Sequence, residues 1–343
     1  MRSGKNADIE ILRFLLTIAV CCHHFRMYSD ALPFGGGYIA VDFFFVISGF
    51  FMAEHLAKRS GQDDFLSAFA YIKSRYIRLL PDYIAAFLMA FLIRLVIGKE
   101  IMLTNVLGYI KEAFMIEIGC LPIRDRMNPP DWYIGYLLLA SVVVFMLIKL
   151  SKLRGLWWSG LLSVFLYGIL ASRTEWINIY PQYASVIHIA IVRGIAGLLM
   201  GCFLWWVQVR LGVRNIDMQW IPRVCVFLLC IIVFYILLWD NSMPYIDYIA
   251  IILFDLLFVI LVIEKPMITS TRLYKPAILV GEVSYIMYLN HYGIALLFTR
   301  YEWLSNCEWK ILSFCYLLTV ILVSAVILLF KKVWYYIKDR NQL

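Results

Sequence analysis

The sequence predicts an all-α fold: a polytopic transmembrane helical bundle of about ten spans, with both termini cytoplasmic and residues 1–343 in one integral membrane domain. Three observations carry this. Hydrophobic residues make up 63% of the chain and mean hydropathy is +0.81, outside the range of soluble domains. The apolar residues come in segments of roughly 16 to 23 residues, each near the length that covers a hydrocarbon core. The net charge of +8 is gathered mainly in alternate connections, as the positive-inside rule requires.

The segments fall near residues 9–27, 38–57, 78–97, 132–150, 156–171, 187–209, 220–239, 245–263, 277–298 and 311–332. The first carries Arg13, His23 and His24 and lacks a small-residue cleavage site, so it persists as a span and is not a signal peptide. Gly35-Gly36-Gly37 makes a tight turn into the second. Lys58, Arg59, Lys73, Arg75 and Arg78 lie on the next inner connection, where basic residues anchor topology. The long outer loop holds an amphipathic run, Asn105 to Ile118, too polar to span and rich in Leu, Ile and Phe. It is expected at the interface or folded back as a wall of the acceptor site. Trp132-Tyr133-Ile134 opens the fourth span. In the sixth, Gly194, Gly197 and Gly201 form a smooth face for close packing. Arg193, at bilayer depth, needs a partner, with Asp42 and Asp255 as candidates. A structural ion pair and an oxyanion-stabilising or substrate-orienting role both stand. Trp157-Trp158, Trp205-Trp206, Trp220, Trp239 and Trp334 fall near span ends, as belt anchors do. In the ninth span Ser284, Tyr288 and His291 recur at i, i+4 and i+7 and share one face. Lys331, Lys332, Lys338 and Arg340 close the chain on the inner side.

Because the charge is explained by topology, nucleic acid is not an expected partner. No zinc-ligand spacing, phosphate loop or nucleophile elbow appears, so no metal is expected. The eight cysteines fall mostly within spans as small apolar residues. Cys120 and Cys307 map to outer loops, leaving a disulfide between them open. The informative residues are the ionisable ones inside apolar segments, because burying charge at that depth is costly and the default reading is functional. Arg13 and His24 are eleven residues apart, close to three helical turns, so they share a face at roughly 16 Å separation. Arginine suits bidentate phosphate binding, and histidine titrates near neutral pH and serves as a general base. Depth places Arg13, Arg75 and Arg78 at the inner surface and His24, His291, Asp42 and Arg193 in the outer half. A single tunnel is expected to run from a phosphate-binding mouth to a reactive chamber.

Arg13 with His24, the run Gly37-Tyr38-Ile39-Ala40-Val41-Asp42-Phe43-Phe44-Phe45-Val46-Ile47-Ser48-Gly49-Phe50, the Arg75-x-x-Arg78 pair and the Ser284-Tyr285-x-x-Tyr288-Leu289-x-His291 element together resemble the membrane-bound acyltransferase 3 family, mostly bacterial carbohydrate O-acyltransferases. The resemblance implies acyl transfer, with acetyl expected, from cytosolic acetyl-CoA (acyl-CoA) to a hydroxyl of a cell-surface or lipid-linked glycan at the inner (plasma) membrane. Acyl-CoA is then a co-substrate, and no cofactor is bound permanently. It implies that Arg13, Arg75 and Arg78 hold the donor phosphates. His24 is expected as base, with Asp42 or a nearby polar group orienting it, and His291 as acceptor ligand or transient acyl carrier. Arg193, Trp132, Tyr288 and Ser284 are expected around the substrate. Where the family often has Trp-Ser-Leu followed three residues on by an acid, this chain has Trp132-Tyr133-Ile134 and Leu137, so no Glu-assisted step carries over. The alternatives are a proton-coupled transporter or flippase of a glycan precursor, which would show gradient-driven uptake without CoA release, and an envelope assembly or sensor protein, which would show neither activity.

Overall fold

Each of the ten apolar segments forms a helix in the computed structural model, which describes residues 6–26, 34–58, 64–99, 101–102, 105–116, 125–151, 156–178, 183–184, 187–211, 221–238, 243–263, 266–300 and 308–340. Arg59, Cys120, Trp220, Trp239 and Cys307 lie outside the described residues, as do the side chains of Lys338 and Arg340. In chain order the helices are α1 (Ala7–Arg26), α2 (Ala40–Lys58), α3 (Asp64–Val96), α4 (Val106–Ala113), α5 (Trp132–Ser151), α6 (Trp157–Arg173), α7 (Ile189–Leu211), α8 (Ile221–Leu238), α9 (Ile246–Ile263), α10 (Thr271–Arg300) and α11 (Trp309–Arg340). One two-residue antiparallel pair, Tyr183–Ala184 with Ile187–His188, precedes α7.

Six of these helices are long and apolar enough to cross a bilayer by length and composition, among the described residues: α2, α3, α5, α7, α9 and α11. α1 and α10 fall short because of the polar groups they carry, and α6 and α8 because they are short. Leu88, Leu92, Leu161, Phe165, Phe227, Phe314 and Phe330 point outward and exposed, as apolar side chains do where lipid replaces water. Three elements exceed their expected bounds. The inner connection before the third span is helical from Asp64, α10 begins ahead of Pro276, and α11 runs on to Arg340. A helix once nucleated adds one hydrogen bond per residue fixed, so the flanks continue it at little cost.

The core is set by two close contacts. α2 packs along α7 through glycines on both helices: a Cβ at the predicted Gly201 would strike the carbonyl of Val46, and one at Gly49, which was not predicted, the carbonyl of Leu198. α1 packs along α10, where a Cβ at Gly281 would strike the Glu10 carboxylate. α6 covers α7, while α3 and α11 flank α10. The tryptophans divide. Trp157 and Trp334 are exposed as belt residues, whereas Trp158, Trp205 and Trp206 are half-buried against the core.

The amphipathic run before α5 folds back. Within α4, Tyr109 and Glu112 are buried and Leu107 and Ile110 exposed. The Glu112 carboxylate accepts the N–H groups of Met127 and Asn128, each at 2.8 Å. Burial pushes the Glu112 carboxyl above its usual range, and those N–H bonds pull against it. The turn so held is clamped to α10: Asn128 Nδ2 donates to the Leu289 carbonyl at 2.7 Å, and the Tyr288 hydroxyl donates to the Pro130 carbonyl at 2.7 Å.

Candidate functional site

Helices α1, α2, α3, α5, α10 and α11 line an open cavity of about 680 Å³. Helical periodicity explains which residues reach it. α1 contributes Glu10, Arg13 and Thr17 and α3 contributes Tyr71, Arg75, Arg78 and Asp82, spaced three or four residues apart on one face, and α10 contributes Gly281, the neighbours Ser284 and Tyr285, and Tyr288 one turn on. Arg13, Arg75, Arg78, Ser284 and Tyr288 therefore meet around one space, although 275 positions separate the first from the last.

Charge is distributed unevenly in this cavity. The Arg13 Nη1 donates to Glu10 Oε2 at 3.0 Å. Lys331 is paired with Asp82, and Lys332 with Glu282 at 2.8 Å. Arg75 Nη1 donates to the Tyr71 hydroxyl at 3.1 Å, a neutral acceptor that leaves its charge uncompensated. The other end of the cavity is aromatic and hydroxylic. The Tyr133 and Tyr288 rings lie 5.5 Å apart, and the Tyr285 hydroxyl is buried without a hydrogen-bond partner among the described residues.

One helical turn beyond Tyr288 stands His291, its ring 5.8 Å from that of Tyr288 and 5.1 Å from that of His24. The two histidine rings are neighbours, a contact that the nearly equal heights expected from their positions in α1 and α10 allow. His291 Nδ1 lies 2.6 Å from the Tyr288 carbonyl. A carbonyl only accepts, so Nδ1 bears the proton and the neutral ring carries its lone pair on Nε2. Both His291 Nε2 and His24 Nδ1 are buried without a hydrogen-bond partner among the described residues. Buried polar atoms are almost always hydrogen-bonded, so two orphaned nitrogens side by side single this place out. Tyr316 braces the pair, its hydroxyl 3.2 Å from the carbonyls of Cys21 and His291. His23 turns aside, with Nδ1 donating to the Gly35 carbonyl at 2.8 Å and its ring edge-on to Tyr38.

Two expectations are corrected here. Asp42 does not orient His24: its carboxylate accepts from Arg193 Nε at 3.0 and 3.1 Å, from Arg193 Nη2, and from the Tyr167 hydroxyl at 3.4 Å. The reason is azimuth, because Asp42 starts α2 on the side that faces α7. The group that orients a histidine is the Tyr288 carbonyl, acting on His291. The single tunnel is also interrupted. Neither His24 nor His291 lines the cavity, whose lining reaches Tyr288 and stops.

Arg193 takes Asp42, not Asp255, as its partner. Its Nη1 and Nη2 donate further to the carbonyls of Ile177 and Tyr38, so every guanidinium nitrogen is engaged by protein. This favours the structural reading of Arg193 over substrate binding. Trp132 lies over the same guanidinium, 5.5 Å from ring centroid to Cζ, and shares its surroundings rather than those of the cavity. Beside them the Asp247 carboxylate accepts from the Tyr38 hydroxyl and the Ile177 N–H. Sequence reasoning missed Glu10, Asp82, Tyr133 and Tyr285 as cavity residues. The spacings Glu10–Arg13 and Arg78–Asp82 were the available signals.

No curated protein and no solved structure matches the chain. A family model described as an acyltransferase domain matches residues 6–330, nearly the whole chain, with Arg13, Arg75, Arg78, Ser284, Tyr288 and both histidines inside the match and the cavity residues Lys331, Lys332 and Tyr335 just beyond it. The chain belongs to the acyltransferase 3 family, and the apolar bundle just described is that of a membrane acyltransferase.

Proposed function

We propose that the protein moves an acyl group, acetyl in the first instance, from cytosolic acyl-CoA to a hydroxyl of a cell-surface or lipid-linked glycan, from a position in the plasma membrane with both termini in the cytoplasm. The observation that carries this reading is the shared cavity. A cationic mouth bearing Arg13, Arg75 and Arg78 leads to Ser284 and Tyr288, with the His24–His291 pair directly behind. Its volume falls in the range of about 300 to 1,000 Å³ common for small-molecule sites.

In this mechanism the arginines hold the donor phosphates, which places the thioester at the Tyr288 end. The acceptor hydroxyl approaches from the opposite side and gives its proton to the histidine pair, with His291 Nε2 as the lone-pair nitrogen. The alkoxide oxygen attacks the thioester carbonyl, forming a C–O bond and a tetrahedral oxyanion. The C–S bond then breaks, and the imidazolium returns the proton to the departing thiolate. A positioned base of this kind is worth about 100- to 10,000-fold in rate. Tyr288 stands between cavity and histidines with its hydroxyl held by the Pro130 carbonyl, and donor and acceptor meet beside its ring.

The test is transfer of label from radiolabelled acetyl-CoA by purified protein, together with mass analysis of surface glycans with and without the gene. Label transfer and loss of an acyl mass from a glycan are the expected results. Gradient-driven uptake with no CoA release would overturn the reading.

A further inference from the structure

The phosphate-binding role proposed for Arg13, Arg75 and Arg78 leaves two cations of the same cavity unassigned. Lys331 and Lys332, on the C-terminal helix α11, also line it. From sequence they were charges that set topology. The structure gives each a carboxylate on a different helix: Lys331 reaches Asp82 on α3, and Lys332 reaches Glu282 on α10 at 2.8 Å. Their side chains remain 30% and 52% exposed, so the ammonium heads are not sealed by these partners.

The lining holds five cations and three carboxylates. With Glu10 on Arg13, Asp82 on Lys331 and Glu282 on Lys332, two positive charges are left over, at Arg75 and Arg78. Two charges suit one diphosphate. A donor with an additional phosphate monoester brings about 1.5 to 2 further negative charges at neutral pH. An ammonium has three N–H donors, and a carboxylate that occupies one leaves two for a phosphate oxygen. The paired carboxylates offset three of the five like charges that one cavity gathers.

Resting on the acyl-CoA reading, we infer that Lys331 and Lys332 form a second phosphate subsite, taking the phosphate monoester of a donor whose phosphates occupy two separate places. The experiment compares acetyl-CoA with the same thioester lacking its 3′-phosphate, on the full-length wild-type protein and on K331Q/K332Q. Wild type should show a KM about tenfold higher for the shortened donor, the loss expected of one charge-assisted contact. The double variant should raise KM for acetyl-CoA about tenfold and leave that for the shortened donor where wild type has it. Equal KM for both donors in wild type, which needs no substitution to measure, would overturn the subsite. So would a variant whose two KM values rise in parallel. A wild-type protein that transfers from neither donor overturns the acyl-CoA reading itself, and this inference with it.

Discussion

The two histidines and the Arg193–Asp42 pair are the residues on which the molecule turns, and they differ in what surrounds them. His24 and His291 are held by one backbone carbonyl and by aromatic neighbours, with a nitrogen of each left without a partner among the described residues. If they act as one base, His24→Ala and His291→Ala should each lower kcat by about 100-fold or more, and the double variant should lose little beyond either single one. Full multiplicative loss would separate their roles, and retained kcat in either would remove that histidine from the mechanism. Arg193 and Asp42 are 4% and 1% exposed and bound to each other. Removing one partner strands a buried charge, so Arg193→Ala or Asp42→Ala should each cost about 3 to 5 kcal/mol. Asp42→Leu with Arg193→Met should cost much less, by thermal unfolding in detergent. The pairing itself was legible as a choice between Asp42 and Asp255. Which acid wins depends on how α2 and α7 face each other, and one helix's sequence holds no record of that.

At the level of elements, the glycine-lined contact between α2 and α7 fixes that facing. A Cβ at Gly201 has no room against Val46 and Phe50, whereas one at Gly168 of α6 meets nothing within 4 Å. Gly201→Ala should therefore destabilise by about 1 to 3 kcal/mol, as overpacking does. Gly168→Ala should be neutral or stabilise by up to about 1 kcal/mol, since alanine is the better helix former. Equal effects at the two sites would mean that α2 and α7 are not in close contact. The ten helices were readable from apolar length, and the glycine face from its spacing. The helical run from Asp64 was missed because Lys73, Arg75 and Arg78 marked an inner connection, although Phe69, Ile72 and Tyr76 recur at helical spacing. The clamp of Glu112 on Met127 and Asn128 was not readable, because it joins α4 to the turn before α5 by backbone groups that any sequence possesses.

Across the whole molecule, the basic residues of the cavity lie toward the end where α1 begins and α11 finishes, and the histidine pair lies farther along. The proposed topology assigns that end to the cytoplasm, which gives acyl-CoA direct access to the arginines. A fluorescent protein fused after Leu343 should then fluoresce, and an export-dependent phosphatase fused at the same point should be inactive. An active phosphatase there would invert the bundle and put the phosphate mouth on the wrong side for its donor. What the amino-acid order determined by itself is depth and facing within each helix, because 3.6 residues per turn and 1.5 Å of rise convert position directly into height and angle. It placed Arg13, Arg75 and Arg78 together at one level and His24 beside His291 at another. Tertiary structure alone decided the azimuth of each helix about its neighbours. That choice sends Asp42 to Arg193 instead of His24, brings Lys331 and Lys332 into the cavity, and sets Tyr288 between the mouth and the histidines, because packing between helices depends on contacts that one-dimensional spacing does not contain.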